Sequence, residues 1–445
     1  MPRSYDVTPE GWLSRGDAFV SGRGNQLAIF GAIPGEHARV TVFSNTQHQA
    51  LARWIRSARP SPHRVVPPCD RYGNCGGCPW MHMDRVAEDA ARIEVLKDAL
   101  RDVGVPEHVA PVVGGADRDV VSHLSLVAGW SDQRSPRLGA VHREGDAVVP
   151  IPDCLVVTPA LRRLMSAASH LMREMEIFPW DGRTGTLRGL EAIQAGETLA
   201  VALDLARPSK FMRDYADRLA DAVPEVRGVQ GRCDGETQRL SGDPKVTFHL
   251  GEAAIVAGPG EVTWSDPAVV AQLLADLVKG LRCASADAVL DVHCGVGAST
   301  VALGKASGWV LGLDLDTTRA QDNVAHNKVA AELAFGPVEH ALADAAPRLT
   351  GRRPLVHIRA AHRALSPELR SALRELAPRR VAITSENPRA LADEARAWAA
   401  VGFSPGPATP YRTRAWSPHG ESLVVLSSAD ADATVPRAPR RRAVR

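Results

Sequence analysis

The chain of 445 residues lacks the features of a membrane or secreted protein. No apolar run approaches the roughly 20 residues of a membrane-spanning helix, and the N-terminal residues lack the apolar core of a signal peptide. The net charge is only +2, so bulk charge does not require a nucleic-acid partner. We therefore expect a cytoplasmic protein without membrane contact, and no segment indicates an obligate protein partner. Any binding of nucleic acid has to depend on local patches.

Cysteines are few, seven in all, but three of them lie close together. Cys69, Cys75 and Cys78 have the spacing C-x5-C-x2-C. The glycines Gly76 and Gly77 allow the backbone to fold tightly around an ion or a cluster. Thiols stay reduced in the cytoplasm, so clustered cysteines there indicate metal ligands rather than disulfides.

The best candidate for a fourth ligand is Cys154, in a proline-rich loop between a predicted strand and a predicted helix. Four thiolates suit either tetrahedral zinc or an iron–sulfur cluster. Structural zinc sites usually combine two closely spaced cysteine pairs, whereas this chain has one pair and two single cysteines. The pattern therefore favours iron–sulfur and leaves zinc open. The remaining alternative is a set of unrelated buried thiols.

Residues 1–60 are predicted to form a small barrel of the OB type, because short strands with Gly-rich turns are typical of such barrels. The predicted strands are Asp17–Val20, Gln26–Phe30, Ala38–Phe43 and Ala50–Ile55. An extended connector with four prolines follows at residues 59–68.

Residues 61–262 are predicted to form a central α+β domain that carries the cysteine site. An amphipathic helix is expected from Asp84 to Val103, with Asp84 as its N-cap. Further elements are helices over Thr158–Met175 and Ser209–Val223 and strands over Leu199–Leu203, Gly228–Gln230 and Val246–Leu250.

Residues 263–428 alternate between strand and helix patterns, which predicts a doubly wound parallel sheet in an α/β domain. The predicted strands are Ala288–Val292, Trp309–Leu313, Leu355–Ile358, Arg380–Thr384 and Leu423–Ser427. The predicted helices are Pro267–Gly280, Ser299–Ala306, Arg319–Leu333, one beginning after the N-cap Ser366, and Ala390–Ala400. Residues 429–445 are polar and rich in arginine, and we expect this tail to be disordered.

A second motif lies where a strand of this last domain ends and a helix begins. Asp291 is followed by Gly295 and Gly297, so the backbone can approach a ligand at the helix N-terminus. Asp314 ends the next strand, where an acid can accept hydrogen bonds from ribose hydroxyls. Because the dinucleotide pattern G-x-G-x-x-G is not met, we predict binding of S-adenosylmethionine (SAM). Asp344, expected after a third strand, is the candidate for an adenine contact, with an exposed loop acid as the alternative.

By these motifs the sequence resembles the TrmA/RumA-type RNA uracil-C5 methyltransferases along almost its entire length. Pro34-Gly35-Glu36 lies in a segment similar to their RNA-binding TRAM domain. Residues 67–82 look like their iron–sulfur motif, with Cys154 in the place of the fourth ligand. Residues 291–297 are similar to their SAM motif, and Glu421 matches their late general-base glutamate. The resemblance implies a TRAM barrel, a 4Fe-4S cluster, SAM as methyl donor and a tRNA or rRNA substrate.

The sequence departs from this family at the positions that carry the chemistry. The nucleophilic cysteine of the family precedes Asn-Pro, and Glu386 stands in that position. The Asp-Pro-Pro-Arg loop is replaced by Arg359-Ala360-Ala361-His362, a glutamine near the methyl donor by Trp264, and an aromatic residue of the SAM motif by His293. Thiolate addition at uracil C6 is what makes C5 nucleophilic, and a carboxylate is a weaker nucleophile toward this carbon. We therefore expect the family reaction to be impaired, and Arg359 to repel the cationic sulfonium.

Three functions remain open at this level. The protein is a uracil-C5 methyltransferase, a catalytically inactive RNA-binding paralogue, or a methyltransferase directed at another atom such as a ring nitrogen. An arginine patch around an aromatic residue predicts RNA contact, since arginines bind phosphates and aromatic rings stack on bases. A solvated surface is the alternative. The patch consists of Arg53, Trp54, Arg56, Arg59 and Arg64.

Overall fold

The computed structural model describes residues 3–22, 26–45, 49–131, 134–145, 147–349, 351–360 and 364–432. The prediction of a disordered basic tail falls mostly outside these residues, as do Ala361 and His362 of the substituted loop. Within the described ranges, no helix combines the length and the apolar character that crossing a bilayer requires.

The N-terminal part is a six-stranded sheet built from short strands with alternating burial. Its strands are β1 (Arg3–Val7), β2 (Gly11–Trp12), β3 (Ala18–Ser21), β4 (Gln26–Phe30), β5 (His37–Asn45) and β6 (Gln49–Arg59). The order is β1-β5-β6-β4-β3-β2. All four predicted strands are present, and β1 and β2 were missed. The strand order among the described residues is open, so closure into a barrel stays a prediction.

The central part is a seven-stranded sheet with the order β10-β9-β8-β11-β12-β13-β14, and two helices pack against it. Its elements are β8 (His123–Trp130), β9 (Pro136–Val141), β10 (Val148–Val149), α2 (Pro159–Glu174), β11 (Leu187–Ala195), β12 (Thr198–Leu205), α3 (Phe211–Ala222), β13 (Val226–Cys233) and β14 (Glu236–Gly242). Thr158 caps α2 through a hydrogen bond from the Leu161 N–H.

Two elements that precede this sheet in sequence belong to the C-terminal core. They are α1 (Arg85–Asp102) and β7 (Val113–Gly114). Leu96 and Leu100 of α1 lie in the same buried cluster as the C-terminal strands, and β7 pairs with a C-terminal strand. Asp84 caps α1 as predicted, because its carboxylate accepts a hydrogen bond from the Ala87 N–H. The segment predicted as one central domain therefore contributes to two cores.

The C-terminal part is an α/β unit with helices on both faces of its sheet. Its elements are β15 (Val246–Leu250), β16 (Ala253–Ala257), α4 (Pro267–Leu281), β17 (Ala288–Val292), α5 (Ala298–Ala306), β18 (Trp309–Asp314), α6 (Thr318–His326), β19 (Ala331–Phe335), α7 (Val338–Leu349), β20 (Leu355–Arg359), α8 (Pro367–Glu375), β21 (Arg380–Ser385), α9 (Pro388–Ala399), β22 (Ser404–Pro405), β23 (Thr409–Arg412) and β24 (Glu421–Ser427). Residues of α4, α5 and α6 are buried on one face and those of α1, α7, α8 and α9 on the other.

The strand order of the C-terminal sheet is β19-β18-β17-β20-β21-β24-β23-β7, and β22 also pairs with β24. Neighbouring strands from β19 to β21 are parallel, as the alternating pattern predicts. β24 is antiparallel to β21. The carboxyl ends of the parallel strands therefore meet the beginning of β24 at one edge, where such sheets bind ligands.

One predicted helix, Arg319–Leu333, is wrong because α6 ends at His326 and β19 follows it. The side-chain amide of Asn327 exchanges two hydrogen bonds with the backbone of Ala254, and Lys328 has a positive φ of 54° that ends the helix. Asp344 lies on the exposed side of α7 and not in a loop after a strand, so its position does not support the predicted adenine contact.

Candidate active site

The glycine loop after β17 carries three residues with positive φ. These are His293 (62°), Gly295 (53°) and Gly297 (83°). Gly297 is the N-cap of α5 and has no side chain to cap the helix. A Cβ at this position would lie 3.0 Å from the Ala320 Cβ and 3.1 Å from its Cα, so only glycine fits without a shift. The first N–H groups of α5 are thus presented at the sheet edge, where they favour an anionic or polar ligand.

A buried network of hydrogen bonds around Asp291 stabilises the glycine loop. Asp291 is fully buried, and one carboxylate oxygen accepts hydrogen bonds from Ser299 Oγ at 2.8 Å and Thr300 Oγ1 at 2.6 Å. Its other oxygen lies 2.7 Å from His357 Nδ1. Burial raises the pKa of Asp291, but its His357, Thr300 and Ser299 partners outweigh burial and hold the pKa below its ordinary value. Sequence reasoning missed His357, although an ionisable residue within an apolar strand was a signal.

The predicted ribose ligand, Asp314, lies directly beside the glycine loop. Its Oδ2 accepts a hydrogen bond from the Gly295 N–H at 2.8 Å, and its Oδ1 accepts one from the Leu315 N–H at 2.7 Å. His293 Nδ1 lies 3.1 Å from the carbonyl oxygen of Arg359, which joins the ends of β17 and β20. Both residues therefore stabilise the loop, whatever further contact they make with a ligand.

Three charged side chains from three strands meet at the same edge. Arg359 Nη2 lies 3.2 Å from Glu386 Oε1 and 3.6 Å from Glu421 Oε1. The structure thus brings together Glu386 and Glu421, the two carboxylates singled out from sequence. Because both carboxylates lie close to Arg359, they largely cancel the repulsion of a sulfonium that is expected from Arg359 alone.

Glu421 is the more deeply placed carboxyl group of the pair. Its side chain is only 13% exposed, and its Oε2 is buried without a hydrogen-bond partner among the described residues. Burial raises the pKa of Glu421 to about 7, Arg359 opposes this rise, and the charge and hydrogen bond of Glu386 add to it. Glu421 can therefore gain or lose a proton near neutral pH, as a general acid or base must.

Two adjoining cavities open at this edge, and Trp264 lines both. The first, about 70 Å³, is lined by the glycine loop, His357 and Arg359. The second, about 140 Å³, is lined by Glu386, Glu421, Arg414 and His419. Cavities for drug-sized ligands usually measure roughly 300 Å³ or more. The Trp264 ring, which packs edge-on against Phe248 at 5.2 Å, forms part of the wall of both small cavities.

Cys294 lies within the glycine loop, and it lines the first cavity together with Arg359 and Glu421. A Cβ on Gly312 would lie 3.2 Å from the Cys294 Sγ, which places the sulfur against β18. Burial, with the charges of Asp291 and Asp314, raises the pKa of Cys294 far above its ordinary value. The Cys294 thiol is therefore not an activated nucleophile.

The four cysteines chosen from sequence line one cavity of about 180 Å³. Cys69, Cys75 and Cys78 come from the loop before α1, and Cys154 comes from the loop before α2. Burial raises the pKa of the Cys78 thiol to about 12, Arg414 lowers it, and the other three thiols raise it. In the described part of the chain, no group of three or more His, Cys, Asp or Glu side chains is arranged to hold a single metal ion.

Residues 412–421 connect the cysteine cavity with the carboxylate pair. Arg92 of α1 donates hydrogen bonds to the carbonyl oxygens of Ser417, Pro418 and His419. The Trp80 N–H, two residues beyond Cys78, donates to the Trp416 carbonyl at 3.0 Å. Arg414 lies between the two sites, because it lines the second cavity and also lowers the pKa of Cys78.

The predicted RNA patch is only partly free for phosphates. Arg53 forms an ion pair with Glu144 at 2.5 Å, and Arg64 pairs with the buried Glu36 at 2.5 Å. Arg64 also stacks over the Trp54 ring at 4.1 Å. Arg56 and Arg59 are exposed on the last residues of β6. The patch therefore offers two open cations rather than four.

No protein-family model matches the chain, but curated relatives cover most of it. An uncharacterized RNA methyltransferase of Thermotoga maritima is 20% identical over 424 residues, covering 92% of this chain and 95% of that protein. The 23S rRNA (uracil(1939)-C(5))-methyltransferase RlmD of Shewanella amazonensis is 27% identical over 313 residues, which is 66% of each chain. These relatives confirm the resemblance that the motifs indicated.

A solved structure has a similar fold over nearly the whole molecule. It is the Pyrococcus abyssi tRNA (uracil-54, C5)-methyltransferase in complex with S-adenosyl-L-homocysteine. The TM-score is 0.70 at 17% sequence identity, covering 95% of this chain and 100% of that one. This chain therefore shares the overall fold of that protein over nearly its whole length.

Proposed function

We propose that this protein belongs to the uracil-C5 type of RNA methyltransferases and binds both RNA and SAM. We also propose that it does not carry out the cysteine-dependent methylation of uracil C5. The relatives named RNA methyltransferases and the fold of the S-adenosyl-L-homocysteine complex support the first part. The observation that carries the second part is the position of Glu386. Its carboxylate lies beside Arg359 and Glu421, and the resemblance aligns Glu386 with the cysteine that precedes Asn-Pro in the family.

The chemistry of uracil explains why this substitution matters. C5 becomes nucleophilic only after a thiolate has added to C6 and formed an enolate. Glu421 can act as the base that removes the C5 proton, but a base alone does not create that enolate. Four of the seven cysteines line a separate cavity, and Cys294 packs against β18. Cys233 lies at the end of β13 and Cys283 follows α4, so neither replaces the nucleophile.

The uracil-C5 reaction is tested by incubating the protein with SAM and unmodified tRNA or rRNA transcripts. We expect no 5-methyluridine by mass spectrometry, and no covalent adduct with a transcript that contains 5-fluorouridine. The Glu386→Cys variant is the matched comparison, since it restores the thiol at this position. An adduct formed by the wild-type protein through any side chain would overturn the proposal.

SAM is proposed to bind at the glycine loop, with the α5 N-terminus and Asp314 as polar contacts. Because the cavity beside this loop is small and Trp264 forms part of its wall, we expect weak binding that improves about tenfold when Trp264→Gln is introduced. Isothermal titration calorimetry measures both affinities. Absence of binding by both proteins would leave only the role of an inactive RNA-binding paralogue.

RNA binding is proposed to use the exposed Arg56 and Arg59, since Arg64 already stacks over the Trp54 ring. Since each phosphate contact releases a counterion, the affinity for a tRNA or rRNA fragment should fall steeply with added salt. Fluorescence anisotropy at several salt concentrations measures the slope, and Arg56→Gln should make it shallower by about one unit. A salt-independent affinity would argue against this interface.

We propose a 4Fe-4S cluster at the cysteine cavity, held by Cys69, Cys75, Cys78 and Cys154. The four cysteines line one cavity, and four thiolates suit an iron–sulfur cluster, which the resemblance to the family's motif favours. A bound cluster would supply one-electron redox chemistry or a structural cross-link. Zinc is the alternative, and metal analysis distinguishes the two.

A further inference from the structure

We propose that the second cavity, lined by Glu386, Glu421 and Arg414, binds a guanine base of single-stranded RNA in preference to uracil. This inference rests on the proposed function, because it assigns the base that enters the site when RNA is bound. It concerns recognition only. It therefore holds or fails independently of whether a methyl group is transferred.

Two residues that line the second cavity, Glu421 and Arg414, each carry a buried polar atom without a hydrogen-bond partner in the described part of the chain. These atoms are Glu421 Oε2 and Arg414 Nε. Glu386 is half-exposed at the rim, and Arg359 pairs with both carboxylates and so holds them at the same edge of the sheet. Unpaired buried polar atoms are costly, so a ligand that satisfies both signs should be stabilised here.

These atoms match the pairing edge of guanine. An ionised carboxylate only accepts hydrogen bonds, whereas a guanidinium only donates them. Guanine presents two adjacent donors, the N1–H and the 2-amino group, next to the O6 acceptor. The carboxylate pair can accept from the two donors while Arg414 donates to O6. The flat side chain of Trp264, which lines the same cavity, offers an apolar wall for the ring.

The other bases fit this arrangement less well. Uracil has a single N–H between two carbonyl oxygens, so at least one oxygen would face a carboxylate. Cytosine and adenine present one amino group beside a ring nitrogen that accepts hydrogen bonds, so they offer one donor direction to two carboxylates. The cavity, about 140 Å³, is also too small for a base pair, so the base has to be unstacked and turned into it.

The experiment compares oligouridines of about nine nucleotides that carry guanosine, inosine or uridine at the centre, a length within single-strand site sizes. Fluorescence anisotropy measures the affinity of the full-length protein for each. We expect the guanosine oligomer to bind roughly tenfold more tightly than the uridine oligomer, the size of effect typical of a bidentate contact. Inosine keeps N1–H and O6 but lacks the amino group, so it should lose most of that preference.

The protein variants assign the preference to the carboxylates. Glu386→Gln and Glu421→Gln should each bring the guanosine-to-uridine ratio close to one. Glu375→Gln, an exposed glutamate near the end of α8, should leave the ratio unchanged. Equal affinity of the wild-type protein for all three oligomers would overturn the inference, as would a preference that survives both substitutions. Formation of 5-methyluridine would instead overturn the proposed function, so the two failures are distinguishable.

Discussion

Glu421 shows how a single side chain can carry both a functional role and a stability effect. Its carboxyl group is buried at the start of β24, between the cation of Arg359 and the carboxylate of Glu386. Burial disfavours the ionised carboxylate and the negative charge of Glu386 adds to this effect, so the pKa of Glu421 lies well above that of an exposed glutamate.

We predict that Glu421 makes the protein less stable as the pH rises. The pKa of Glu421 is about 7 in the folded protein, against 4.5 for the unperturbed group. Between these two pH values the folded state binds more protons than the unfolded state. The protonated Glu421 carboxyl group therefore contributes its full stabilisation below the lower value, and this contribution is lost above the upper value. When the pH is raised from about 5 to about 8, the free energy of unfolding of Glu421→Gln should increase by on the order of 2 kcal/mol relative to that of the wild type.

Urea unfolding at the two pH values measures this difference. The control is Glu375→Gln, which changes an exposed glutamate to glutamine in the same way. A stability difference between Glu421→Gln and the wild type that stays constant with pH would show that Glu421 titrates normally.

We predict a larger loss of stability at neutral pH when the buried Asp291 is replaced by alanine. The substitution leaves the His357, Ser299 and Thr300 side chains without their shared acceptor. Breaking a buried polar network of this kind costs about 3 kcal/mol or more. Denaturant unfolding should show this loss, whereas Asp217→Ala on the exposed face of α3 should change stability by less than about 0.5 kcal/mol.

At the scale of secondary structure, the glycine loop depends on both backbone conformation and space. Gly251 and Gly297 both have positive φ, but a Cβ on Gly251 would meet nothing within 4 Å, whereas one on Gly297 would press on Ala320. Gly251→Ala should therefore lower the free energy of unfolding by about 1 kcal/mol, because a residue with a Cβ is then held in the left-handed conformation. Gly297→Ala should cost more and weaken SAM binding about tenfold, as measured by unfolding and calorimetry. Equal costs for the two variants would contradict this account.

Most elements follow from local signals that their own residues supply. Asp84 and Ser366 cap α1 and α8 as the sequence predicts, through hydrogen bonds from the Ala87 and Leu369 N–H groups. The prediction failed at the end of α6, because Asn327 bonds to the distant Ala254 and β19 finds its place only by pairing with β18. No local pattern contains such contacts.

At the scale of the whole molecule, the cysteine cavity joins segments that are far apart in sequence. Three of its cysteines precede α1, and Cys154 precedes α2. A metal group bound there would cross-link the two segments. Removal of the group should therefore lower the thermal stability of the whole chain.

We predict that anaerobically purified protein contains iron and sulfide, and that Cys154→Ser loses most of both. Cys233→Ser, which changes a cysteine away from the cavity, should retain them. Iron analysis, visible absorption and the unfolding midpoint before and after chelation provide the measurements. Stoichiometric zinc in the wild type, or full iron retention by Cys154→Ser, would refute the cluster.

The amino-acid sequence alone determined the elements and the motifs, because caps, turns, apolar periodicity and short spacings are encoded within a few residues of one another. It indicated the cysteine set, the glycine loop and the two glutamates. Only the tertiary structure decided how these parts act on each other. Arg359 is paired rather than free, His357 bonds to Asp291, and Trp264 lines both cavities, since each contact joins strands separated by many residues.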